Sequence, residues 1–188
     1  AGLPGSGKTE FTTELVSSLS VKPIRIDMDE LAKEIEGYRP EIAATFRLGA
    51  SNLLQEVFSK TIRSRVDFIF DGTLSQPRAI ENIERALNHQ YTIKIYYIHQ
   101  DPIVARKFTL DRELVERRGI DRIGFINSYE HIFSNLMLIQ EMKFPITLSV
   151  IIKDRTNRII KIIENVKDIF EHLDPPLSRD ELEHVILE

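Results

Sequence analysis

Two periodicities of apolar residues divide the sequence into predicted strands and predicted helices. Short runs that are nearly all apolar, such as residues 66–70, alternate with longer segments in which apolar residues recur every three or four positions. The short runs are typical of buried β-strands, and the longer segments are typical of amphipathic helices. Their alternation predicts an α/β fold with a mostly parallel sheet and helices on both faces.

The same pattern predicts where each element lies. Strands are expected over residues 24–27, 66–70, 92–98 and 146–152, with an antiparallel return over 158–162. Helices are expected over 7–20, 30–36, 41–65, from Pro77 to about Leu87, and over 102–117, 122–142, 165–173 and 178–186. Asp101 is predicted to cap the helix that follows it, and Ser178 and Glu181 are predicted to form a capping box.

Composition narrows the class of protein. The 188 residues are 42% hydrophobic and 29% charged, which is ordinary for a soluble globular domain. A formal net charge of −4 argues against a general affinity for nucleic acid or anionic membranes. The absence of cysteine excludes disulfides and thiolate metal sites, and no apolar run approaches the roughly 20 residues that span a bilayer. We therefore expect a cytoplasmic protein.

The first nine residues carry the clearest motif. They read Ala-Gly-Leu-Pro-Gly-Ser-Gly-Lys-Thr and match the phosphate-binding pattern G-x-x-x-x-G-K-[ST]. The glycines let backbone amides converge on phosphate oxygens, Lys8 supplies a positive charge, and the Thr9 hydroxyl can bind Mg²⁺. The residues predicted to hold the nucleotide are Gly2, Pro4, Gly5, Ser6, Gly7, Lys8 and Thr9.

A loop of this kind normally follows a buried strand of a P-loop NTPase sheet. We therefore expect the first strand of the sheet to precede Ala1, outside this sequence. Residues 1–173 are predicted to form one P-loop domain, and residues 174–188 a linker and a C-terminal helix.

Acidic residues follow two of the predicted strands. Asp27 and Asp29 come at the end of the second strand of such a sheet, and Asp71 and Thr73 come directly after the run at 66–70. Because the carboxyl ends of parallel strands meet at one edge, these residues and the loop should share a crevice.

These side chains suggest roles in phosphoryl transfer. Asp71 is expected to bind Mg²⁺, or else to cap a turn with Gly72. Neighbouring carboxylates raise one another's pKa, which favours Asp29 as a general base and Asp27 as a metal-side or orienting group. If a helix already begins there, Asp29 would instead be its N-cap and Asp27 a turn residue.

The most basic stretch lies between residues 106 and 122, with five arginines and Lys107. A solvated helix face is the ordinary explanation of such a run. Here Gly119 is expected to end the helix, so that Arg118 turns back toward the phosphates. A lid over residues 101–125 that carries Arg112 and Arg118 is our hypothesis, because such lids supply cations to the transferring phosphate.

Taken together, these motifs resemble the zeta toxin family of P-loop kinases. The resemblance rests on the loop at 2–9, the Ile-Asp-Met-Asp at 26–29, the Phe-Asp-Gly-Thr at 70–73 and the arginine segment at 112–120. The family usually has Glu where this chain has Asp71.

The resemblance implies an ATP- and Mg²⁺-dependent kinase. Asp29 would be the general base, Arg112 and Arg118 would contact the γ-phosphate, and Thr73 would lie near the substrate. Asp27 is our own additional candidate for substrate binding. Characterised members phosphorylate the sugar of UDP-N-acetylglucosamine, so a nucleotide sugar is the expected small-molecule hydroxyl substrate. Members are often paired with an antitoxin, which makes a cognate antitoxin an expected partner.

Two other classes of function remain open on the sequence alone. One is a nucleotide-hydrolysing switch or motor that acts through a protein partner, although no guanine-specifying N-K-x-D is present. The other is a binding module with a degenerate site, which the presence of Lys8, Thr9 and Asp29 argues against.

Overall fold

A computed structural model describes residues 1–117 and 119–186 of the chain. The strands are β1 (Ile24–Asp27), β2 (Phe68–Asp71), β3 (Ile93–His99), β4 (Ile146–Lys153) and β5 (Ile159–Ile163). The helices are α1 (Lys8–Ser18), α2 (Met28–Lys33), α3 (Ala43–Ser64), α4 (Ala79–Asn88), α5 (Pro102–Glu116), α6 (Arg122–Glu141) and α7 (Arg179–Val185). Short 3₁₀ turns cover Pro40–Ile42 and Ile169–Glu171.

The strands form two hydrogen-bonded groups that meet at the N-terminal loop. β1 pairs with β2 in parallel, β3 pairs with β4 in parallel, and β5 returns antiparallel on β4. Gly2 joins the groups, since it forms a parallel bridge with Ile98 of β3 and its amide donates to the carbonyl of Thr73, 3.4 Å away. The predicted α/β fold with mostly parallel strands and a terminal hairpin is confirmed.

Two apolar cores lie against these groups of strands. The larger core is centred on α6, whose Phe125, Ile132 and Leu136 are completely buried against β3 and β4. The smaller core packs Leu54 and Phe58 of α3 onto Ile26 of β1. In α3 and α6 the buried residues recur every three or four positions, as predicted for amphipathic helices.

Most elements differ from the predicted bounds by one to three residues, and three helical segments show a difference with a clear physical reason. α2 begins at Met28, before the expected residue 30, because the Asp27 side chain caps its first turn. The helix expected over 41–65 begins with the 3₁₀ turn and then runs unbroken through Gly49. The helix expected over 165–173 is reduced to the turn at Ile169–Glu171, since the Val166 amide donates to Leu148 of β4 and keeps this segment extended.

The C-terminal segment packs against the larger core. The predicted capping box is present, with Ser178 and Glu181 exchanging hydrogen bonds at the start of α7. Leu182 and Ile186 are buried among the residues of the larger core. None of the helices in the described part of the chain combines the length and apolar composition that a membrane-spanning helix needs.

Candidate active site

The N-terminal loop has the backbone conformation that its glycines allow. Gly5 and Gly7 adopt φ angles of 77° and 80°, in the left-handed region that other residues rarely enter. A Cβ atom on Gly5 would lie 2.1 Å from the carbonyl oxygen of Ala105 in α5, so any larger residue would push the lid helix away. Gly7 caps α1 without a side chain, which leaves the first amides of the helix available to an anion.

Lys8 folds back over this loop. Its ammonium group donates to the carbonyl oxygen of Leu3 at 2.7 Å. Burial lowers the pKa of Lys8 to about 8, while the carboxylates of Asp71, Asp29 and Asp27 act in the opposite direction. The loop therefore holds a poorly solvated cation beside unpaired helix amides, which is the chemistry of a phosphate site.

Asp27 and Asp71 lie side by side at the ends of β1 and β2. They are direct partners in the parallel register of these strands. The guanidinium of Arg25 joins them, with its Nη2 2.8 Å from Asp27 Oδ2 and 2.7 Å from Asp71 Oδ2. The sequence analysis missed Arg25, although its position two residues before Asp27 places both side chains on the same side of the strand.

The two aspartates of the D-x-D motif have different environments. Asp27 is the N-cap of α2, and its Oδ1 accepts the amide hydrogens of Asp29 at 2.8 Å and Glu30 at 3.4 Å. The alternative in which Asp29 caps the helix is thus wrong, because Asp29 already lies in the first turn. Burial raises the pKa of Asp27, helped by the charges of Asp29 and Asp71, while its backbone hydrogen bond opposes this.

Thr73 lies directly against the loop. Its carbonyl accepts the Gly2 amide, and its hydroxyl lies 2.6 Å from that of Ser75 in the turn after β2. The predicted gathering of the loop, the D-x-D motif and the residues after β2 at one sheet edge is present in the structure.

The crevice between these groups and α5 is a pocket of about 520 Å³. Thr9 lies at its loop side, Asp29 on α2 and Arg112 on α5. Arg25, Asp27 and Tyr38 also line it. A pocket of this size holds a small molecule next to the phosphate site.

The helix of the hypothesised lid, α5, begins and ends as predicted. Asp101 caps α5 and Pro102 is its first residue, and the helix stops at Glu116 with Arg117 in a left-handed conformation. Arg112 lies close enough to Lys8 that its charge helps to lower the Lys8 pKa. Arg118, the second predicted lid arginine, lies outside the described residues.

Arg106 of α5 is buried in the protein and does not line the pocket that Arg112 lines. It is only 3% exposed, its Nη1 donates to the Ile120 carbonyl at 2.6 Å, and its guanidinium lies 5.8 Å from the centre of the Phe125 ring. This arginine of the basic stretch therefore anchors the segment between α5 and α6.

The loop and its surroundings fit a nucleotide with Mg²⁺. The buried hydroxyl of Ser6 has no hydrogen-bond partner among the described residues, although it lies within the phosphate-binding loop. Nor do those residues contain a cluster of three or more His, Asp or Glu side chains that could hold a metal ion. Magnesium binding by Thr9 and Asp71, together with phosphate oxygens, stays a prediction, and Asp71 is paired with Arg25 in this structure.

Comparisons with known proteins bear on the family and on the fold of this chain. A family model described as Zeta toxin matches residues 1–166. Six chains of solved structures match, among them one described as "Molecular and structural characterization of the PezAT chromosomal toxin-antitoxin system of the human pathogen Streptococcus pneumoniae". That match has a TM-score of 0.68 and 14% identity, and it covers 99% of this chain and 75% of the other. Comparison with curated protein sequences found no match.

Proposed function

We propose that this chain, which belongs to the zeta toxin family of P-loop kinase-like proteins, transfers the γ-phosphate of ATP to a hydroxyl group of a small molecule. The observation that carries the proposal is the single crevice that joins Thr9 beside the P-loop lysine, Asp29 and Arg112. These groups supply the phosphate cradle, the proton acceptor and the cation that phosphoryl transfer requires.

Each side chain has a defined role in the proposed reaction. The loop amides and Lys8 hold the phosphates of ATP, and Arg112 adds positive charge from the lid. Asp29 accepts the proton of the acceptor hydroxyl as its oxygen attacks the γ-phosphorus, and ADP leaves. Mg²⁺, when bound, neutralises charge on the phosphate oxygens.

The hydrogen bonds of Asp27 support Asp29 as the base. One oxygen of Asp27 accepts backbone amides of α2, and the other accepts the Arg25 guanidinium. Proton acceptance by Asp27 would weaken both interactions. Asp27 is therefore better suited to orient α2, and with it Asp29, toward the acceptor.

The acceptor that we propose is a nucleotide sugar such as UDP-N-acetylglucosamine. The pocket beside Asp29 is lined by Arg25, which also pairs with Asp27 and Asp71, by Lys33, which also pairs with Glu30, and by the aromatic ring of Tyr38. Cations suit a diphosphate, and a ring can stack on a base.

A metabolite screen tests the proposal. Purified protein is incubated with Mg²⁺, labelled ATP and a mixture of hydroxyl compounds that includes nucleotide sugars, and products are identified by mass spectrometry. We expect a phosphorylated nucleotide sugar. If another hydroxyl compound gains the phosphate, the substrate is wrong and the kinase assignment stands.

A cytoplasmic role as a toxin with a cognate antitoxin is a further part of the proposal. Its support is the fold that the chain shares with a protein from a toxin–antitoxin system. Expression in a bacterial host should slow growth, and the Lys8→Ala variant should not. Normal growth with a fully active enzyme would contradict the toxin role.

A further inference from the structure

A second lysine lies against the phosphate-binding loop, on the side away from Asp27 and Asp71. Lys153 is the last residue of β4, and it is 9% exposed. A Cβ atom on Gly7 would lie 2.1 Å from its ammonium nitrogen, so Lys153 directly covers the residue that caps α1. The same nitrogen donates to the side-chain oxygen of Asn157 at 2.9 Å.

The strand order places this lysine opposite the acceptor pocket. β1 and β2, with Asp27 and Asp71, lie on one side of Gly2, whereas β3 and β4 lie on the other. A nucleotide whose γ-phosphate faces Asp29 must extend its nucleoside end away from the acceptor. From the pocket beside Asp29, the nucleoside would therefore extend past Gly7 toward the C-terminal end of β4, where Lys153 lies.

The turn that carries Asn157 is held in place by hydrogen bonds. Oδ1 of Asp154 accepts the amides of Thr156 at 2.8 Å and Arg158 at 3.0 Å. The buried side chain of Gln100 donates to the Asp154 carbonyl at 3.0 Å. Asn157 itself adopts a φ of 68°. The partner of Lys153 is therefore fixed by the protein and needs no ligand to order it.

The electrostatic surroundings of Lys153 favour an anion. Its hydrogen bond goes to a neutral amide, and it lies beside the positive end of α1. Burial lowers the pKa of Lys153, while the charges of Glu10 and Glu14 on α1 act in the opposite direction. Because these two carboxylates only partly offset the lowering, a further negative group beside the ammonium would stabilise its charged form.

We propose that Lys153 is a second phosphate-binding lysine of the nucleotide site, contacting the phosphate chain on the nucleoside side of Gly7, and that Asn157 orients its ammonium group. This inference rests on the proposed function, because it assumes that the loop holds a nucleoside triphosphate. It predicts that Lys153 recognises the charge of the phosphates.

Calorimetry with three probes tests this. ATP, inorganic tripolyphosphate and adenosine are titrated into the wild type, Lys153→Met, Lys153→Arg and the control Lys161→Met, whose lysine is exposed on β5. Lys153→Met should bind ATP and tripolyphosphate about 10-fold or more weakly, since a charge-assisted contact is lost. Lys153→Arg should retain most of the affinity, and no variant should change adenosine binding.

The outcomes separate this inference from the proposed function. If Lys153→Met is folded, as judged by its melting temperature, and binds both phosphates like the wild type, the inference is overturned and the nucleotide site stands. If Lys153→Met does not fold, Asn157→Ala replaces it, and unchanged phosphate affinity in that variant overturns the inference. If the wild type binds neither phosphate, the proposed function fails together with the inference.

Discussion

The ammonium group of Lys8 donates to the carbonyl of Leu3 and lies among charges of both signs. In this position the ammonium group lies against the phosphate-binding loop. A phosphate that enters the loop would replace the Leu3 carbonyl as the acceptor of the Lys8 hydrogen bond. Gly5 and Gly7 show the complementary requirement. The backbone of α5 leaves no room for a Cβ atom on Gly5, and the φ angle of 80° at Gly7 disfavours any other residue there. At the scale of single residues, the loop therefore requires the positive charge of Lys8 and glycine at positions 5 and 7.

Replacing Lys8 by Ala should weaken ATP binding by about 10- to 150-fold, because a charge-assisted contact worth roughly 1.5–3 kcal/mol is lost. Isothermal titration calorimetry measures the affinity directly. The matched control is Lys22→Ala, since Lys22 is exposed in the connection between α1 and β1. Equal ATP affinities for the wild type and Lys8→Ala would remove Lys8 from the site.

At the scale of elements, α5 lies between the phosphate-binding loop and the neighbouring pocket. Ala105 in its N-terminal half packs against Gly5, and Arg112 in its C-terminal half lines the pocket beside Asp29. The side chain of Asp101 fixes the start of this helix by accepting the amides of Ile103 and Val104. The cap at Asp101 thus helps to fix the position of Arg112 relative to the loop.

Asp101→Ala should reduce the free energy of unfolding by about 1 kcal/mol, because the first turn of α5 loses the acceptor for two amides. Urea denaturation followed by circular dichroism gives this value. Asp111→Ala, at an exposed position within α5, provides the comparison. The capping role would be refuted by an Asp101 variant that is as stable as the Asp111 variant.

The local part of the fold could be predicted from the sequence, because each strand and helix carries its own period of apolar residues. The N-cap at Asp27 also had a local signal, since Glu30 follows three residues later, as at many helix starts. The contact of Arg25 with Asp71, and that of Lys153 with Gly7, had no such signal. Both contacts join residues far apart in the chain, and only the strand register and the packing of the whole sheet bring them together.

At the scale of the whole molecule, His99 links the sheet to the C-terminal segment. It is the last residue of β3, and it faces a cavity that is lined by Phe170, His172 and Asp174. Its Nδ1 atom is buried and has no hydrogen-bond partner within the described residues. Burial lowers the pKa of His99 below its ordinary 6.5, although Asp101 and Asp174 oppose the shift.

This shift makes the stability of the molecule depend on pH. Between the lowered pKa and 6.5 the unfolded chain binds more protons at this residue, so the folded state loses stability as the pH falls through that window. His99→Gln removes the titrating group. Chemical denaturation at pH 7 and pH 5 should therefore show a larger loss for the wild type than for the variant, and equal losses would contradict this explanation.

Measuring the transfer of labelled phosphate from ATP to an acceptor hydroxyl decides whether the protein is the kinase that we propose. The purified wild type and Asp29→Asn are each given ATP labelled at the γ-phosphate, Mg²⁺ and nucleotide sugars, and the label is followed into organic phosphate and inorganic phosphate. We expect a labelled phosphoester with the wild type and a rate about 100-fold lower with Asp29→Asn, whose ATP affinity stays unchanged. Label that appears only as inorganic phosphate, at the same rate in both proteins, would show a hydrolase and contradict the kinase assignment.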